Sequence, residues 1–146
     1  MTAPPDAARR PWFPRPSLVL LVALGGAAGT AARYGLGELV PSSHGWPWPT
    51  LLVNVTGSFA LGLLLGLIAR RGPETPAVER VRLGAGTGFL GGYTTYSSFA
   101  VQADQLLAGG RPGTAAATVL VSLAVGLVAA AAGVVLADRP ARGSTP

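Results

Sequence analysis

Asn54 is the only asparagine of the chain, and it stands inside a long apolar run, followed four residues later by Ser58. Thr118, Ser122 and Gly126 repeat that interval in another apolar run, and between the two lies G-A-G-T-G-F-L-G-G-Y-T-T-Y-S-S-F, from Gly84 to Phe99. A serine or threonine hydroxyl in a helix can satisfy itself on the carbonyl three or four residues back, so each hydroxyl alone reads as structural. Asn54 has no such refuge. Its amide carries two donors and an acceptor that need partners, which assigns it to a pore wall or to bonding between helices. The chemistry open to such groups is hydrogen bonding to something that has left water, not bond making. No carboxylate pair, nucleophile with a base, or phosphate-binding loop is visible, and the glycine cluster lacks the lysine of a P-loop and the strand of a dinucleotide fold. An enzyme is not indicated.

The stretch from Gly84 to Phe99 is a poor regular helix. Glycines 84, 86, 88, 91 and 92 each cost roughly 1 kcal/mol against alanine, and Tyr93 to Ser98 restore little propensity. A helix break is the natural expectation. In hydrocarbon, a break is tolerated only where protein, water or an ion satisfies the freed backbone, which points to an ion site or a pore. Tyr96 and Phe99 share a face if the helix resumes; such pairs usually pack, but their positive ring edges can also line an anion path.

These groups must be positioned by membrane helices. The chain of 146 residues is 49% hydrophobic and 12% charged, against about 25% charged in a soluble domain. Charge-free runs between Ser17 and Ala32, Thr50 and Ala69, Leu83 and Ala103, and Arg111 and Asp138 approach or exceed the ~20 residues that span a bilayer. We therefore expect an all-α membrane protein of four transmembrane helices, about 17–39, 50–69, 83–107 and 114–137, the third broken. The first extends past Arg33 if that side chain snorkels or faces an aqueous cavity. Residues 1–16 and 138–146, rich in Pro, Ala, Arg and Gly, are expected to be mobile tails. Pro11, Pro14 and Pro16 argue against a cleaved signal peptide despite Arg9-Arg10 and the apolar stretch that follows.

All eleven basic residues are arginine. Nine of them (Arg9, Arg10, Arg15, Arg70, Arg71, Arg80, Arg82, Arg139 and Arg142) fall on one side of the expected bundle, against Arg33 and Arg111 on the other. The positive-inside rule then places both termini in the cytoplasm, and the high pI reports topology, not nucleic-acid binding. With no cysteine there is neither a disulfide nor a thiolate metal site, and the lone His44, in a loop, receives no role. Gly25 to Gly29, and Gly62 with Gly66, form small-residue faces suited to close helix packing. Four helices enclose little by themselves, so an oligomer, most simply a dimer, is expected.

Three motifs, G-G-A-A-G-T-A-A-R-Y at 25–34, V-N-V-T-G-S-F-A-L-G at 53–62 and G-T-G-F-L-G-G-Y-T-T-Y-S-S-F at 86–99, resemble the signatures of the CrcB (Fluc) fluoride channel family. The resemblance spans roughly Ser17 to Ala137. It implies four-helix subunits paired antiparallel in a dual-pore dimer, passive efflux of cytoplasmic fluoride through a bacterial plasma membrane, and a structural sodium ion at the dimer centre. The sodium would be held by the backbone carbonyls of Gly91 and Thr94. Asn54, Tyr96, Phe99 and Ser122 would line the pore, and Arg33 would supply positive potential at a vestibule. Two residues depart from the family pattern: Tyr96 stands in place of a phenylalanine, and Gln102 in place of an acidic residue. Gln102 is assigned nothing.

Antiparallel pairing of one sequence requires it to insert both ways, whereas nine arginines against two favour one orientation. The chain is therefore also read as one that pairs with a related subunit of opposite bias, and Tyr96 leaves open that its own pathway is partly conducting or silent. A proton-coupled small multidrug exporter, the competing class, needs a membrane-embedded carboxylate. Glu38 and Asp104 lie only near helix ends.

Overall fold

The computed structural model describes residues 15–40 and 46–139. The expected tails, apart from Arg15, Pro16, Asp138 and Arg139, lie outside the described residues, as does His44. Three long helices dominate. Helix α1 spans Pro16–Leu39, α2 spans Trp48–Ala69 and a last helix spans Pro112–Ala137, each with a proline in its first two positions, where a missing N–H is least costly. All three are long and apolar enough to cross a membrane. Leu20, Leu24, Leu67 and Leu120 stand exposed on them, as a lipid-facing surface requires.

The remaining helical path is segmented. Helix α3 covers Pro76–Val81, with the Thr75 hydroxyl accepting from Val78 N–H as its N-cap. A π-helix follows over Arg82–Leu90, then one short turn, α4, at Gly91–Tyr93. The chain is interrupted at 94–96, where Thr94 is extended (φ −77°, ψ 161°), and resumes as α5, Ser97–Ala108. The last helix, Pro112–Ala137, is α6. The third helix is expected from about residue 83, but the helical path starts at Pro76, and the interruption lies at 94–96, past the last glycine of the Gly84–Phe99 stretch in which a break is expected.

The reason is the neighbouring helix. A methyl group at Gly88 would come within 2.8 Å of the Val22 carbonyl, and one at Gly25 within 2.5 Å of the Gly84 carbonyl. Methyls at Gly29 and Gly92 would collide with the carbonyls of Phe89 and Gly26. Bare backbones thus pack directly, and this contact keeps the weak helix former helical, in the wider i→i+5 winding. The small-residue face of α2 serves α6 in the same way: Gly62 abuts the Ala130 carbonyl, and Gly133 abuts that of Phe59. Arg70, after α2, donates to the carbonyls of Ala137 and Arg139 and so caps α6. The Arg82–Glu74 ion pair at 2.8 Å is solvent-exposed and adds little.

Candidate functional site

Two residues organise the interruption. Asn54 Nδ2 donates to the Thr95 carbonyl at 2.9 Å, and the Thr95 N–H donates to Asn54 Oδ1 at 2.8 Å. The amide that the sequence could not leave unpartnered therefore acts as a surrogate peptide group, closing both backbone positions of Thr95 where the helix cannot.

This arrangement decides which carbonyls are free. In a continuous helix the Gly91 carbonyl would accept from Thr95 N–H and the Thr94 carbonyl from Ser98 N–H. The first donor goes to Asn54, and the second goes to Thr95 Oγ1 at 3.1 Å. The Gly92 carbonyl, by contrast, accepts from Arg33 Nε at 3.2 Å and Thr30 Oγ1 at 3.4 Å. Gly91 and Thr94 thus lose their regular helical donors, and a methyl group at Gly91 would meet nothing within 4 Å, so that position opens away from the rest of the chain. Freed carbonyl oxygens are the ligand type that a hard cation accepts.

A cavity of about 570 Å³ runs along the interruption. Asn54, Gly91, Thr94, Tyr96, Phe99 and Ser122, drawn from α2, α4, the interruption, α5 and α6, all line it. Its wall mixes these polar groups with Leu61, Leu90, Leu123 and Leu127. The rings of Tyr96 and Phe99 lie 6.1 Å apart between centroids, tilted by 45°, and Tyr96 is 81% exposed. Arg33 does not join this group. It lines a second cavity of about 370 Å³ with Thr50, Thr95, Ser98 and Gln102 among others.

Four features were not evident from the order of residues. Thr95 lines both cavities; the signal for it was Asn54's need for a peptide-like partner, but its register was not readable. The stripe on α6 divides, with Ser122 and Gly126 facing the larger cavity, while Thr118 is 1% exposed and its hydroxyl has no partner among the described residues. Gln102 Oε1 is likewise buried without a partner among them. Tyr93, given no role, shares a hydrogen bond of 3.0 Å between its hydroxyl and Thr56 Oγ1.

An all-helical multi-pass membrane protein whose polar groups converge on a broken helix has the form of an ion channel or transporter. The chain belongs to the CrcB family: the family model described as "CrcB-like protein, Camphor Resistance (CrcB)" matches residues 20–134. It is 44% identical over 118 residues to a protein of Leifsonia xyli named fluoride-specific ion channel FluC 2, covering 81% of each chain. It is 46% identical over 123 residues to fluoride-specific ion channel FluC of Bordetella avium, covering 84% of this chain and 94% of that one. The corresponding protein of Thermus thermophilus is 47% identical over 110 residues, 74% of this chain and 85% of its own.

Proposed function

We propose that this chain is a subunit of a fluoride-selective channel that lets cytoplasmic fluoride leave passively through a bacterial plasma membrane. The observation that carries the reading is the single cavity that gathers Asn54, Tyr96, Phe99 and Ser122 beside the interrupted helix, in a chain whose relatives are named as fluoride channels. Fluoride is small and strongly hydrated, so it enters a dry path only if donors replace its water. Asn54 commits one N–H and its oxygen to Thr95, which leaves its second N–H for an ion. The Ser122 hydroxyl supplies another donor from α6, and the ring edges of Tyr96 and Phe99 bridge the gap between donors with positive quadrupole potential. Arg33 raises the anion concentration at the second cavity before dehydration.

The exposed face bearing Gly91 and Tyr96 is the surface that a second, antiparallel subunit would cover to give a dual-pore dimer. The carbonyls of Gly91 and Thr94, freed as described, suit a sodium ion shared across that interface, where it would act as a structural bridge. Both termini are assigned to the cytoplasm from the arginine distribution.

A second reading concerns the partner. Nine arginines against two argue that this sequence inserts in one orientation, so its antiparallel partner would be a related subunit of opposite bias. Fluoride efflux from liposomes holding this chain alone, followed with a fluoride electrode, tests both readings. Efflux that collapses in Phe99→Ile and Asn54→Ala supports the channel, since a mere scaffold is indifferent to both. Full efflux from the single chain removes the need for a second kind of subunit; silence alone with activity after co-reconstitution establishes it.

A further inference from the structure

The turn Gly91–Tyr93 lies with Gly92 against α1 and Gly91 away from it. A methyl group at Gly92 would collide with the Gly26 carbonyl, whereas one at Gly91 would meet nothing within 4 Å. On the α1 side two side chains converge on one oxygen. Arg33 Nε donates to the Gly92 carbonyl at 3.2 Å, and Thr30 Oγ1 donates to it at 3.4 Å.

A carbonyl oxygen has two lone pairs, and these two donors engage both. In an unbroken helix the Gly92 carbonyl would accept from the Tyr96 N–H, and that bond is absent here. The interruption is therefore held from two helices. From α2, Asn54 takes the Thr95 peptide; from α1, Arg33 and Thr30 take the Gly92 carbonyl. Each tie removes a group that the helix would need in order to close, and the Gly91 and Thr94 carbonyls are what the two ties leave over.

Arg33 thus has two separable properties. Its charge acts on the cavity it lines, while its Nε–H, one of five in the guanidinium, holds a backbone oxygen on the neighbouring turn. We infer that Arg33, seconded by Thr30, is a positioning residue for the carbonyl site: it acts through Gly92 to keep Gly91 and Thr94 presented to a cation. The inference rests on the reading of those two carbonyls as sodium ligands and adds the residues that prepare them.

Lysine separates the two properties. It keeps the positive charge but carries a methylene carbon where arginine has Nε, so Arg33→Lys preserves the potential and loses the tie. Thr30→Val removes the second donor without touching any charge. Dimer fraction by size-exclusion chromatography is measured as sodium replaces N-methyl-D-glucamine at constant ionic strength, with fluoride efflux from liposomes alongside. Arg33→Lys should raise the sodium concentration that gives half dimer at least about fivefold, as expected for loss of a hydrogen bond from a charged donor, and Thr30→Val about twofold to threefold. Saturating sodium should restore dimer and efflux in both variants, which it would not do for a damaged fold.

Wild-type sodium dependence in both variants, or a loss that saturating sodium does not restore, overturns the inference and leaves the sodium reading standing. If Arg33→Lys is not recovered from the membrane, Thr30→Val decides. A wild-type dimer indifferent to sodium overturns the sodium reading and the inference together.

Discussion

Asn54 and Thr95 bond to one another as two peptide groups would, donor to acceptor in both directions at 2.9 and 2.8 Å. The consequence reaches past the pair. Because the Thr95 N–H is taken by a side chain, the Gly91 carbonyl loses its helical donor, and the interruption persists where a helix would otherwise close.

Removing the clamp should cost more than its bonds. Interhelical hydrogen bonds in membranes average only about 0.6 kcal/mol, but Asn54→Ala also orphans two backbone groups at roughly 1–3 kcal/mol each. The expected outcome is a loss of about 2–4 kcal/mol with fluoride efflux lowered by about two orders of magnitude. Thermal unfolding in detergent and electrode-monitored efflux measure the two effects.

The glycines separate packing from assembly. Gly88→Ala drives a methyl group to 2.8 Å from the Val22 carbonyl, a backbone atom that can yield only if α1 moves. An overpacking loss of about 1–3 kcal/mol is expected, seen as a lower melting temperature. Gly91→Ala meets nothing within 4 Å inside the protomer. Its recovery from the membrane should be normal and its dimer fraction by light scattering reduced, because the position faces the proposed partner.

At Tyr96, ring and hydroxyl are separable. Tyr96→Phe keeps the ring and should conduct at least as well as wild type, whereas Tyr96→Ile should lower efflux by about tenfold if ring edges contribute as quadrupoles. Equal efflux from all three proteins would remove Tyr96 from the pathway.

Sodium should act on assembly before it acts on flux. Exchanging sodium for N-methyl-D-glucamine is expected to shift purified protein from dimer to monomer in size-exclusion chromatography, and efflux should fall in step. A dimer population indifferent to sodium would contradict carbonyl coordination by Gly91 and Thr94.

Much of this protein was legible before folding. The apolar runs that became α1, α2 and α6 were bounded by charge and proline, which are properties of residues in order along the chain. That the glycine stretch would not carry a regular helix to Phe99 followed from propensity alone. Asn54 was readable as a group in need of partners, because an amide in hydrocarbon must be satisfied.

Where the helix would break was not legible, since glycine weakens a helix wherever it occurs. The packing of Gly88 on Val22 and of Gly92 on Gly26 holds the glycine-rich part in helical windings and moves the interruption to Thr94 and Thr95. The partner of Asn54 was equally hidden, as it lies 41 residues away. The order of residues alone thus determined that this is a membrane protein with a polar site at a weakened helix, because hydropathy and propensity are local. Only the tertiary structure decided which carbonyls stay free and which are tied, because a hydrogen bond is assigned by what competes for it in space.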